Sequence, residues 1–128
     1  MSLLSMRDVS VTYRTAEGEV PAVRGVSLDV AAGSSLGVAG ESGSGKSSLA
    51  GTVLRLTPKS AVVSGQVLLD GEDVLAMSFG RLRALRWAGA SIVFQGALHS
   101  LNPLHRVGRQ IAEPVALHDA AAWPTSRA

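Results

Sequence analysis

Hydrophobic and polar residues alternate along two stretches near the N-terminus, and this period of two predicts two half-buried strands. The apolar positions are Val9, Val11, Tyr13, Val26, Leu28 and Val30. Residues 15–18 between the two stretches are typical of a turn. After a break at residues 31–34, the short apolar run Ser35–Ala39 predicts a third strand, either an antiparallel neighbour of the second or its partner at the sheet edge.

The middle of the chain predicts another hairpin strand and a helix. Ser64 and Gly65 introduce an apolar strand at residues 66–69, which Asp70 and Gly71 end in a tight turn. Residues 74–87 predict a turn followed by an amphipathic helix that is interrupted at Gly80. The side chains predicted to face the core are Phe79, Leu82 and Leu85.

The last third of the chain has weaker signals. Ser91–Phe94 has the length and the apolar character of a buried strand. Residues 101–103 predict a turn, and Val107–Ala112 predicts a short helix broken by Pro114. We therefore expect one domain over residues 1–118 and a frayed tail over residues 119–128.

Composition limits the kind of protein. With 128 residues, 46% of them hydrophobic and 17% charged, the chain is expected to form a globular interior. No apolar run approaches the roughly 18 residues of a membrane span, and we expect a cytoplasmic protein. The absence of cysteine excludes disulfides and thiolate zinc sites. The three histidines lack metal-ligand spacing, and a net charge of +2 is too small to indicate nucleic-acid binding.

One motif carries specific chemistry, because residues 40–47 match the phosphate-binding pattern G-x-x-x-x-G-K-[ST] at every position. Its residues are Gly40, Glu41, Ser42, Gly43, Ser44, Gly45, Lys46 and Ser47. Glycine backbone can present successive N–H groups to phosphate, the lysine reaches the β- and γ-phosphates, and the serine hydroxyl can bind Mg²⁺. The alternative is a glycine-serine linker. A strand pattern before the motif and a helix pattern at Leu49, Val53 and Leu56 after it disfavour that alternative.

Three further features remain ambiguous from the residues alone. Tyr13 can be an ordinary strand aromatic in the core, or its ring can form a platform for a purine. Gln95 directly follows a predicted buried strand, where open α/β sheets place ligand-contacting groups, but it can also be a loop residue without a role. The arginines of residues 81–86 fit a solvated helix face better than a phosphate-tracking patch.

A joint resemblance to a known family is carried by several stretches of the chain. They are Val23–Val30, Gly37–Ala50, Ser64-Gly65 with Asp70-Gly71, Ile92–Gln95 and Ser100–Pro103. Together they resemble the ATP-binding subunits of ABC transporters and, through Ser-Leu-Asn-Pro, the peptide and nickel importer group. The resemblance implies an α/β fold, a P-loop NTPase (ABC ATPase) core with an N-terminal antiparallel β subdomain.

The resemblance also implies roles for single residues. Tyr13 is similar to the aromatic residue that stacks on adenine, and Ser48 to a further phosphate ligand. Gln95 is similar to the glutamine that reaches toward Mg²⁺ and the attacking water. The implied ligands are ATP and Mg²⁺, with Ser47 and Gln95 near the metal and Lys46 and Gln95 in the catalytic machinery. The implied partners are membrane-spanning permease subunits and a second ATP-binding subunit on the inner face of the cell membrane, without nucleic acid.

The chain departs from the family pattern in several places. Gly33-Ser34 stands where Gly-Glu is usual, and Gly96-Ala97 where Asp-Pro is common. The Leu-Ser-Gly-Gly-Gln signature, the strand ending in Asp-Glu and the switch histidine are not found. We therefore expect an importer ATPase truncated before its helical subdomain is complete, which binds nucleotide weakly and hydrolyses ATP poorly or not at all on its own. The alternatives are an inactive nucleotide-binding remnant and an ABC ATPase of DNA repair or chromosome organisation.

Overall fold

The computed structural model describes residues 2–118, which divide after Ala90 into two compact units. The first unit contains four strands and two helices. They are β1 (Ser2–Thr15), β2 (Gly18–Ala31), α1 (Lys46–Thr52), β3 (Ala61–Leu69), β4 (Glu72–Asp73) and α2 (Phe79–Ala88). The predicted tail at residues 119–128 lies outside the described residues. None of the helices within residues 2–118 is long and apolar enough to cross a membrane.

The first unit is built on a four-stranded antiparallel sheet with the order β2-β1-β3-β4. The β1–β2 hairpin closes where Thr15 pairs with Gly18, as the turn signal predicts. Asp70 and Gly71 connect β3 to β4 with φ of 49° and 81°, and two successive positive φ angles are what a tight hairpin turn needs. The predicted antiparallel β subdomain is confirmed.

The core covers one face of this sheet. Val9, Val11 and Val67 are fully buried, and Leu82 and Leu85 of α2 pack against the same cluster. The sequence predicts that Phe79 joins them, but Phe79 is 69% exposed. On a helix of 3.6 residues per turn, side chains three positions apart differ in direction by about 60°. Phe79 is six positions before Leu85, so the two side chains lie roughly 120° apart around the helix axis. The prediction for Phe79 is therefore wrong.

The glycine in α2 does not interrupt that helix. The Ser78 hydroxyl accepts a hydrogen bond from the amide of Arg81, which caps the first turn. The helix therefore runs continuously through Gly80, where glycine costs only about 1 kcal/mol relative to alanine. The predicted interruption at Gly80 is wrong.

Two predicted strands do not form. Ser35–Ala39 and Ser91–Phe94 pair with no strand among the described residues. Their side chains are open to solvent: Val38 is 53% exposed and Val93 88% exposed. A strand needs a neighbour to satisfy its backbone N–H and C=O groups, and an apolar run alone does not supply one.

Helix α1 ends earlier than its apolar spacing predicts, since that spacing continues to Leu56. The amide of Leu56 donates to the carbonyl of Gly51, and the amide of Arg55 donates to that of Thr52. Arg55 has a φ of 48°. This is the hydrogen-bond pattern of a Schellman motif, with an arginine in the left-handed position that glycine usually occupies. Arg86 then donates to the carbonyls of Leu54 and Arg55.

The second unit contains a short 3₁₀ helix (Ala97–Ser100) and α3 (Val107–His118). Gln110 holds the turn before α3: its side chain accepts a hydrogen bond from the amide of Asn102 and donates to the carbonyl of Asn102. The sequence predicts that Pro114 breaks this helix, but α3 continues through Pro114 to His118. A proline at the eighth helical position removes one backbone hydrogen bond and leaves the other turns in place.

An exposed ion pair joins the β3–β4 hairpin to α2. Arg81 donates to both carboxylate oxygens of Glu72, with 2.9 Å between Nε and Oε2. Hydrogen bonding from Arg81 and its charge lower the pKa of Glu72. A carboxylate with a depressed pKa stabilises the folded state above the ordinary pKa of the unfolded chain. That stabilisation is lost as the pH falls through the folded-state value.

We expect Glu72→Gln to lower the stability slightly at pH 7, since an exposed pair contributes little. Because the pair is lost on protonation, the difference from the wild type should vanish as the pH falls below the ordinary range of glutamate. Urea denaturation at several pH values measures this. Glu17→Gln, in the exposed β1–β2 turn, removes the same charge without this pair. A deficit of equal size for both variants at pH 7 would mean that the pair has no specific effect.

Candidate functional site

The loop of residues 40–47 leads directly into α1, as the sequence predicts. Gly45 has a φ of 92° at the N-cap, and the amide of Leu49 closes the first helical turn on the carbonyl of Gly45 at 2.8 Å. Gly43 also has a positive φ, of 80°. Ser44 donates its amide to the carbonyl of Glu41 at 3.1 Å, so the middle of the loop is a tight turn.

Two glycines allow this loop to pack closely. A Cβ on Gly45 would lie 2.3 Å from the carbonyl oxygen of Ala22, which belongs to β2. A Cβ on Gly40 would lie 2.6 Å from the Ser44 hydroxyl oxygen, within the loop itself. Real Cβ atoms do not approach other heavy atoms so closely. At Gly45 the neighbouring atom is backbone and cannot rotate away, so the loop can rest on β2 only with glycine at that position. At Gly40 the neighbouring atom is the end of a serine side chain, which can rotate away.

The Lys46 ammonium group is directed back over its own loop. Its Nζ donates to the carbonyl oxygens of Gly40 at 2.7 Å and Glu41 at 2.6 Å, and to the Ser44 hydroxyl at 3.2 Å. An ammonium group has three donors, and these three oxygens match that number. The positive charge is thus fixed at the centre of the loop by acceptors of the loop itself.

Tyr13 reaches the same region from β1. Its hydroxyl lies 2.7 Å from that of Ser48, a residue 35 positions away in the sequence, at the start of α1. Tyr13 is half-buried and also packs against the edge of the core cluster. Tyr13 therefore lies at the edge of the core and beside the start of α1. A role for its ring as a platform for a purine stays a prediction.

These groups line one cavity of about 300 Å³. Its lining residues are Tyr13, Ala22, Gly43, Ser44, Gly45, Lys46, Ser47 and Ser48. The side-chain polar groups are three serine hydroxyls, a phenol and one ammonium. Such a set of donors with one fixed positive charge suits a phosphate anion. Ala22 is the residue that the sequence could not single out, because a small apolar side chain in a strand carries no chemical signal.

Three other predicted site residues, Glu41, Ser42 and Gln95, are not among the residues that line this cavity. Glu41 and Ser42 belong to the loop but are exposed and do not line the cavity. Gln95 lies in the second unit, where it is exposed and directly precedes Gly96, which has a φ of 73°. Within residues 2–118, no three histidine, aspartate or glutamate side chains are grouped to hold a metal ion.

Comparison with known proteins adds a family. The family model described as ABC transporter matches residues 23–126. The peptidoglycan transport ATP-binding protein YejF of Agrobacterium fabrum is 42% identical over 127 residues, which cover 98% of this chain and 23% of that protein. The oligopeptide transport ATP-binding protein OppD of Escherichia coli is 38% identical over 117 residues, covering 91% and 35%. A probable peptide ABC transporter ATP-binding protein of Sinorhizobium fredii is 41% identical over 118 residues, again covering 91% and 35%. The chain thus spans about a quarter to a third of the length of these relatives.

Proposed function

The chain belongs to the ABC transporter family, and from this membership we propose that it is the nucleotide-binding part of an ATP-driven importer of peptides or similar small solutes. The observation that carries the proposal is the Lys46 ammonium group, which is fixed over a glycine loop at the start of a helix. The names of the relatives, which refer to ATP binding and to transport of peptides, oligopeptides or peptidoglycan, support the choice of nucleotide and solute.

In the proposed complex, the triphosphate occupies the cavity and its oxygens replace the loop carbonyls as acceptors for Lys46. The N–H groups at the start of α1 and the Ser48 hydroxyl would donate to further phosphate oxygens. None of the described residues that line the cavity is acidic, so no like charge among them opposes a triphosphate. Tyr13 borders the same cavity, and we propose that its ring contacts the base of the nucleotide.

Mg²⁺ fits this site only as an ion shared with the nucleotide. The cavity offers the hydroxyl oxygen of Ser47, while hard cations prefer several oxygen ligands, which phosphate groups and water can supply. We propose that Ser47 contributes one ligand. We also propose that in the whole protein the side chain of Gln95 contacts the metal ion and the attacking water. The bound ion would neutralise charge on the phosphates during hydrolysis.

We propose that the whole protein is peripheral on the inner face of the cell membrane, where permease subunits and a second ATP-binding subunit are its partners. The solute would be selected by those other components, because the cavity described here is suited to phosphate.

The proposal predicts that the purified chain binds Mg-ATP, measured by isothermal titration calorimetry. It also predicts that deletion of the gene in the source organism lowers the uptake of labelled di- or oligopeptides, while uptake of free amino acids is unchanged. Complementation with the intact gene is the control. Absence of ATP binding would contradict the nucleotide site, and unchanged peptide uptake would contradict the choice of solute.

A further inference from the structure

The hydroxyl groups of Tyr13 and Ser48 join the sheet to α1 by a direct side-chain hydrogen bond within the first unit. Their oxygens are 2.7 Å apart, the usual separation for a strong O–H···O bond. Stacking on a base would use the ring of Tyr13 and would not need this hydroxyl. The hydroxyl group of Tyr13 therefore has a role separate from base stacking.

We propose that Tyr13 is a positioning residue, whose hydroxyl orients the Ser48 hydroxyl so that Ser48 donates its proton to a nucleotide phosphate. This inference rests on the proposed function, because it assumes a phosphate beside Ser48. It adds a second role for Tyr13, toward the phosphates as well as the base.

The number of available protons decides which hydroxyl group donates in this contact. A serine hydroxyl has one proton and two lone pairs, whereas the oxygens of an ionised phosphate act as acceptors. If Tyr13 donates to Ser48 Oγ, the serine proton remains available for the phosphate. The phenol is the more acidic of the two hydroxyls and so the better donor. The Tyr13 hydroxyl then donates its proton to Ser48, and the Ser48 hydroxyl donates its proton to the phosphate.

Without the tyrosine hydroxyl, Ser48 has a competing acceptor. A serine near the start of a helix can donate back to the carbonyl four residues earlier, which is Ser44 in this chain. In that orientation its proton is unavailable to the ligand. The half-buried position of Tyr13 and the partial burial of the contact limit the water that could replace the tyrosine hydroxyl. Loss of the Tyr13 hydroxyl should therefore weaken phosphate binding without any change in the ring.

A double-mutant cycle tests the proposal with two probes, Mg-ATP and inorganic tripolyphosphate, which has neither base nor sugar. We expect Tyr13→Phe to lower the affinity for both probes by the same factor, about three- to tenfold, as for the loss of one hydrogen bond. In the Ser48→Ala background, Tyr13→Phe should have no further effect. Ser48→Thr retains a hydroxyl, so in that background the effect of Tyr13→Phe should return.

The outcomes separate this proposal from its alternatives. If Tyr13→Phe lowers the melting temperature of the unliganded protein but changes neither affinity, the hydroxyl is structural and the proposal is wrong. An equal loss in the wild-type and Ser48→Ala backgrounds would also overturn it, because the tyrosine would then act without Ser48. If the wild-type protein binds neither probe, the proposed nucleotide site itself fails, and this inference fails with it.

Discussion

Replacing Lys46 by alanine is expected to reduce the affinity for Mg-ATP by at least about 100-fold. The reason is that hydrogen bonds to a charged group contribute about 1.5–3 kcal/mol each, so the loss of two already exceeds a factor of about 100. In the unliganded protein, the same ammonium group bonds to acceptors of its own loop, at the surface. The melting temperature without ligand should therefore remain nearly unchanged. Isothermal titration calorimetry and thermal denaturation measure the two effects.

A matched control for this variant is Lys59→Ala. The sequence contains two lysines, and Lys59 is exposed in the turn before β3. Both substitutions remove one positive charge, but only Lys46 lies in the loop. Equal losses of affinity would indicate general attraction between the nucleotide and a basic protein. If Lys46→Ala lost as much free energy of unfolding as it lost free energy of ATP binding, the lysine would act mainly by holding the loop together.

The elements that the sequence predicted well are those with local signals. The alternation of apolar and polar residues around Val9 and Val26 predicts two strands, and both are present in the sheet. The turn residues Asp70 and Gly71 predict the tight turn that the structure contains. The start of α1 at the end of the loop is predicted in the same way. Local propensity and tertiary packing agree at these positions, which is why the predictions hold.

Several predictions failed where a distant partner decides the structure. Residues 35–39 and 91–94 have strand-like composition, but an apolar run does not show whether a neighbouring strand is available. The Schellman motif that follows α1, with Arg55 at a positive φ, depends on contacts with α2 and the segment before it. Arg55 donates to the carbonyl of Met77, and Arg86 donates to that of Arg55. Arginine rarely adopts a positive φ, so the sequence contains no signal for this ending.

The candidate site shows the same division. The spacing of Gly40, Gly45 and Lys46 could be found from the sequence because all the groups lie in one loop. The contact between Tyr13 and Ser48 could not, since it joins residues 35 positions apart through the pairing of β1 with its neighbours. Family resemblance suggested a role for each of these two residues, but not that they touch.

The second large effect is expected at Gly65, where β3 crosses a bulge in β1. The pairing of the two strands shifts between Arg7 and Ser10, so that Gly65 lies opposite the bulge. Asp8, within the bulge, has a φ of 50° and donates its amide to the Ser27 hydroxyl. A Cβ on Gly65 would lie 2.4 Å from the Asp8 carbonyl oxygen and 2.6 Å from that of Arg7. Both are backbone atoms of the central strand and have no free rotation with which to move away.

We therefore expect Gly65→Ala to lower the free energy of unfolding by about 3 kcal/mol or more, since strain at a positive φ adds to the overlap with β1. Gly71→Ala is the matched control, because Gly71 has a φ of 81° but open space where its Cβ would lie. The control should lose only the conformational part, about 1 kcal/mol. Urea denaturation followed by circular dichroism measures both variants. Equal losses would mean that β1 moves to admit the methyl group, and that the close approach of Gly65 to the bulge contributes nothing to the stability of the sheet.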